Sequence, residues 1–129
     1  MDLRPLFTTR FTRAWRLLLA LMMGVVAWFA LMPGSPFGGV QNFDKLQHVL
    51  AFFTLATVAS LAWPPRAWQE GRVAFGLLMY GLLIELVQTK LPTRTASAAD
   101  VLADAVGIAL GLLLARQLLR WARSSQRST

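Results

Sequence analysis

Six acidic residues and a single histidine occur among 129 residues, and four of the acids gather with the histidine at three places. Asp44, Lys45 and His48 come first, then Glu85 and Gln88, then Asp100 and Asp104. Asp44 and His48, like Asp100 and Asp104, are spaced i, i+4, and Glu85 and Gln88 are spaced i, i+3. On helices each pair therefore shares one face. A histidine beside carboxylates is suited to proton transfer, which makes His48, Glu85 and Asp104 the candidate catalytic residues. One histidine with several carboxylates also suits a hard or borderline divalent ion. With no second histidine and no tight ligand motif, the pattern assigns no metal and no cofactor. There is no Gly-x-Ser-x-Gly, no Gly-rich loop before a helix and no credible Ser-His-Asp order.

The elements that must carry these residues are apolar. The chain is 56% hydrophobic and 15% charged, with a mean hydropathy of +0.51. Soluble domains run at roughly 45–50% apolar and about 25% charged. The absence of cysteine excludes disulfides and thiolate chemistry. Four apolar stretches stand out: 17–32, 49–63, 73–84 continuing through Glu85 to Gln88, and 101–115 with Asp104 inside. None shows a broad polar face, and a chain this short cannot fully bury four helices. The fold class expected is therefore all-α, an integral membrane bundle of four transmembrane helices. Pro33, Pro64-Pro65 and Pro92 mark the ends of the first three. Trp15, Trp63, Trp68 and Trp121 sit at expected span ends, where indole favours the interface.

Orientation follows from the basic residues. The N-terminal tail, the segment between spans two and three and the C-terminal tail hold 10 Lys and Arg; the other two loops hold only Lys45, Lys90 and Arg94. That asymmetry places both termini in the cytoplasm and the polar residues near the outer face of a bacterial inner membrane. It also explains the net charge of +7 without nucleic acid. A signal peptide is the competing reading of the first span; its apolar core exceeds the usual length, and Ala30-Leu31-Met32 is a poor cleavage site. The expected organisation is a basic tail over 1–13, the membrane domain over 14–118, and a basic, disordered tail over 119–129. On the fourth helix the acidic face continues through Gly107 and Gly111, a small-residue stripe for close helix approach. That directs the carboxylates into the bundle.

These residues resemble a known pattern. Asp44-Lys45-Leu46-Gln47-His48 looks like the D-K-x-x-H signature of VanZ-like membrane proteins, and Glu85-Leu86-Val87-Gln88 is similar to their E-x-x-Q. Arg94, Ser97, Asp100, Asp104, Gly107 and Gly111 resemble the R-x-x-S-x-x-D-x-x-x-N-x-x-G-x-x-x-G block, and the match covers residues 43–115. The family usually carries Asn where this chain has Asp104, an acid in place of a neutral hydrogen bonder. The resemblance implies a small polytopic membrane protein; the family's namesake is linked to low-level teicoplanin resistance.

The favoured function is binding, or acting on, an amphiphilic envelope component such as a lipid-linked precursor or a lipoglycopeptide. Asp44, Lys45, His48, Glu85, Gln88, Arg94, Ser97, Asp100 and Asp104 form the expected binding set, with Lys45 and Arg94 attracting an anionic headgroup. Membrane lipid is the expected partner, and oligomerisation stays open. One alternative is a membrane hydrolase or transferase using His48 with a carboxylate. Another is a structural or assembly factor whose buried charges only specify helix packing, with Lys45 and Arg94 neutralising the acids.

Overall fold

A computed structural model of the chain describes residues 9–33, 43–63, 68–92 and 96–124. Four helices follow in order: α1 Thr9–Leu31, α2 Phe43–Leu61, α3 Gln69–Gln88 and α4 Ala98–Ser124. Phe11–Leu31 in α1 and Ala98–Ser124 in α4 are long and apolar enough to cross a membrane on their own composition. At about 1.5 Å per residue, the 19 residues of α2 and the 20 of α3 extend close to the ~30 Å of a hydrocarbon core. Their apolar content is diluted by the polar residues of interest: Asp44, Lys45, Gln47 and His48 in α2, Glu85 and Gln88 in α3.

Helix ends agree with the proline signals. α1 stops before Pro33, α2 before Pro64-Pro65 and α3 before Pro92. The outer bounds differ from expectation. α1 begins at Thr9, within the segment read as a tail, and α4 runs to Ser124, so residues 119–124 are helical rather than disordered. Ala122 explains the extension, since it is buried where a tail would be solvated. Residues 1–8, 34–42, 64–67, 93–95 (with Arg94) and 125–129 lie outside the described residues.

α2 is central. Its Phe52, Leu55, Ala56, Val58 and Ala59 join Leu19 of α1, Leu77 of α3 and Ile108 of α4 in one core. Phe52 is thus a core residue. The glycine stripe of α4 lies directly on α2. A Cβ on Gly107 would strike the Val49 carbonyl oxygen, and one on Gly111 would strike that of Phe53 and lie 2.8 Å from the Ala56 Cβ. Thr57 Oγ1, bonded to the Phe53 carbonyl of its own helix at 2.8 Å, also reaches across to that of Gly111 at 3.3 Å. Leu17, Leu21, Trp28, Phe75, Leu86 and Leu102 are each more than 60% exposed. Such a surface is a liability in water and is satisfied by lipid tails.

Candidate functional site

The first turns of α2 and α4 and the last turns of α3 meet at one end of the bundle. The start of α4 sets the geometry. Ser97 is its N-cap: its Oγ accepts from the Ala99 N–H at 3.2 Å, and its carbonyl accepts from the Asp100 N–H at 3.0 Å. With Asp100 at the third helical position, the local sequence is that of a capping box, in which the acid reaches back to the cap's own N–H. Here another helix takes that N–H. The Ser97 N–H donates to Glu85 Oε2 at 2.9 Å. Glu85 of α3 thereby closes the end of α4, and the Asp100 carboxylate is left to face elsewhere.

It faces His48. One ligand atom from each of His48, Glu85 and Asp100 lies within 4.8 Å of the others. Asp104, one turn further along α4, shares a 2.8 Å hydrogen bond between its Oδ1 and His48 Nδ1. Burial is nearly complete for the acids: Glu85 is 6% exposed, Asp100 7% and Asp104 1%. Space for Asp104 comes from Gly81, where a Cβ would lie 2.5 Å from Asp104 Oδ2 and 3.1 Å from the Phe52 ring. Glu85 Oε1, Asp100 Oδ1 and Asp104 Oδ2 are buried with no hydrogen-bond partner among the described residues. Buried polar atoms in native proteins are nearly all satisfied, and each orphan calls for a cause. Three such atoms fall in one cluster.

Other candidate residues do different work. Gln88 is buried but turns to α1, its Nε2 donating to the Ala30 carbonyl at 2.8 Å. Lys45 pairs with Asp44 of its own helix at 3.8 Å, both well exposed, and makes no ion pair with the buried acids. Ser97 serves the helix cap. Of the two cations expected near Glu85, Lys45 is paired with Asp44 and Arg94 lies outside the described residues; the partner that is described is the Ser97 backbone N–H.

Beside the cluster lies a cleft of about 210 Å³. Its apolar wall comes from Val25, Val26 and Phe29 of α1, Ala51 and Phe52 of α2 and Ile84 of α3. Its polar end is Asp44, Gln47, His48, Gln88 and Asp104. Sequence reasoning missed Gly81 and Gln47. Gly81 had a legible signal, since it lies four residues before Glu85 and seven before Gln88 on the same helical face. Gln47 had none beyond its place beside His48. Also missed was Tyr80, whose hydroxyl donates to the Met23 carbonyl at 2.5 Å and ties α3 to α1.

The chemistry available is specific. When Nδ1 donates to Asp104, the other imidazole nitrogen of this cleft-lining residue is an oriented acceptor, the arrangement of a general base. Three carboxylates on two helices, converging on one imidazole, otherwise suit a cation or a ligand rich in hydroxyl donors.

Residues 6–120 match the family model described as VanZ/LLP1. The chain belongs to the VanZ/LLP1 family. The match takes in all but the last turn of the four helices. Family and apolar helices together make this an integral membrane protein. No curated protein and no solved structure shows significant similarity to it. The VanZ-like motifs fall on the helix ends just described: Asp44-Lys45-x-x-His48 opens α2, Glu85-x-x-Gln88 closes α3, and Ser97-x-x-Asp100 caps α4. Where the family pattern usually has Asn, Asp104 makes the bond to His48.

Proposed function

We propose that this VanZ/LLP1 protein binds the headgroup of an amphiphilic envelope component, a lipid-linked precursor or lipoglycopeptide, at the polar end of the α1–α2–α3 cleft. The observation that carries the reading is the cleft itself. A hydrocarbon wall of Val25, Val26, Phe29 and Ala51 runs into His48, Gln88 and Asp104 within one space. An amphiphile matches both halves; a free polar solute matches one. The basic asymmetry puts both termini in the cytoplasm and this end of the bundle at the extracytoplasmic face of the bacterial inner membrane, where such components are handled. Lys45, half-exposed and paired with the cleft residue Asp44, supplies a positive charge for an anionic headgroup.

The test is mass spectrometry of lipids carried by the detergent-purified protein. Parent protein should retain a defined amphiphile. Ala51→Phe, which fills the cleft from the wall, should lose it while keeping the parent's helicity and melting temperature. An unchanged lipid profile in a folded Ala51→Phe variant would remove the cleft from the proposal.

A second reading is favoured by the His48–Asp104 bond at the cleft wall. There the protein turns the amphiphile over, with His48 as base in a hydrolysis or group transfer. Turnover of the amphiphile by the parent that His48→Gln abolishes would support it; no turnover by the folded parent would remove it.

A further inference from the structure

The geometry points to a divalent cation bound by His48, Glu85 and Asp100, of the Zn2+ or Mn2+ class. The inference deepens the reading of this cluster as a ligand site, and it is tested with the metal alone.

The first support is convergence. The three side chains come from three different helices, yet one donor atom of each lies within 4.8 Å of the others. Bonds of about 2.0–2.2 Å place opposed donors some 4.4 Å apart at most, so small side-chain adjustments draw the three into a coordination sphere. The donor set, one imidazole nitrogen and two carboxylates, belongs to borderline and harder divalent ions. Three protein ligands leave an open position for water or a headgroup oxygen, as in catalytic rather than structural sites.

The second support is independent of the spacing. Glu85 and Asp100 are each more than nine-tenths buried, and Glu85 Oε1 and Asp100 Oδ1 have no hydrogen-bond partner among the described residues. A buried carboxylate oxygen without a donor is costly, more so in a membrane. A helix cap explains one oxygen of Glu85, the one on the Ser97 N–H. It leaves the other unexplained, and it is the same bond that turns Asp100 away from its usual capping target. Lys45, the described cation nearest in sequence to His48, is paired with Asp44. A divalent cation would satisfy both oxygens and neutralise both charges.

Third, with Nδ1 hydrogen-bonded to Asp104, His48 would ligate through Nε2, and the ring would then be held as metal-binding histidines are held. A carboxylate on one ring nitrogen orients the ring and raises the basicity of the other. Asp104 Oδ1 on Nδ1, in a space opened by Gly81, supplies that partner. Asp104 is thus a positioning residue.

The experiment uses the full chain in detergent, stripped with chelator and then titrated with Zn2+ and, separately, Mn2+. One cation per chain should bind. Glu85→Gln and Asp100→Asn should each weaken binding by at least about tenfold, the lower bound for disturbing even an outer partner. Asp104→Leu should weaken it by about 10–100-fold, while Glu70→Gln, at the other end of the bundle, should leave it unchanged. Pulsed electron paramagnetic resonance of the Mn2+-loaded parent should show a nitrogen coupling that His48→Gln abolishes. That signal is read on the parent, so a variant that fails to fold does not spare the proposal. No stoichiometric binding to the folded parent, no nitrogen coupling, or unchanged affinity in both Glu85→Gln and Asp100→Asn would overturn it. Because no amphiphile is added, a negative titration leaves the cleft proposal standing, and an empty cleft leaves the metal site standing.

Discussion

Asp104 shows how a single residue reaches its place. It sits in a membrane helix at 1% exposure, tolerable because His48 meets one oxygen and Gly81 makes room for the other. Gly81→Ala should therefore be expensive for so small a change. Its Cβ would collide with Asp104 Oδ2 and crowd Phe52, and overpacking of this kind costs about 1–3 kcal/mol. Thermal melting in detergent reads that loss, and unchanged melting would show that Asp104 does not need the gap. Ser97 makes a separate prediction. Its hydroxyl caps α4, so Ser97→Ala should cost about 0.5–2 kcal/mol and Ser97→Asp should recover most of it. The grouping of His48, Glu85, Asp100 and Asp104 was legible from helical spacing, because polar residues inside apolar segments turn toward neighbouring helices, although Asp44, at the start of α2, stays exposed. What spacing could not show was the division of labour. That Glu85 would take the Ser97 N–H depends on how the end of α3 meets the start of α4, a contact across a loop with no periodicity to read.

At the scale of the elements, glycine decides how α2 and α4 pack. At Gly107 and Gly111 the obstacles are carbonyl oxygens of α2, and backbone cannot rotate out of the way as a side chain does. Gly107→Leu or Gly111→Leu should force the helices apart and lower the melting temperature sharply. Leu113→Ala should change stability by no more than about 0.5 kcal/mol, since Leu113 is 53% exposed on the lipid side. Equal melting of all three would refute the packing. The glycine stripe was visible in sequence; its partner helix was not, because any apolar helix could have filled the groove. At the opposite end from the acidic cluster, the Arg116 guanidinium forms a fork with Glu70, its Nε donating to Oε1 at 2.7 Å. Arg116 holds the Glu70 carboxyl below its ordinary value of 4.5. A depressed folded value means that the contribution is fully present above pH 4.5 and is lost as pH falls through the folded value. Glu70 is partly exposed, so the effect is small and screened by salt. The parent's melting advantage over Glu70→Gln should shrink below about pH 4.5 and in high salt; an advantage that grows in acid would contradict the ion pair.

For the whole molecule, composition pointed to a membrane protein, four apolar stretches to four helices, and proline placement to the helix ends. The ends of the chain were less legible: Arg10 and Arg13, read as tail, lie within α1, and α4 outruns its apolar core to Ser124. Basic residues permit helix as readily as coil, so charge alone could not place those boundaries. Orientation rests on the basic asymmetry and makes a prediction for the whole chain. Reporter fusions at Thr129 and within 64–72 should read cytoplasmic, and fusions within 34–42 and 93–99 extracytoplasmic; the reverse pattern would turn the cluster to the cytoplasm and remove extracytoplasmic precursors from consideration. On the proposed reading the buried charges hold a ligand rather than only pack helices. Amphiphile retention by His48→Gln, measured by native mass spectrometry beside its melting temperature, tests that most directly, because His48 touches both the cleft and the acids. If His48 holds the ligand, the variant melts like the parent but carries no amphiphile; a variant that melts like the parent and carries the same amphiphile at the same occupancy would show that His48 does not hold it.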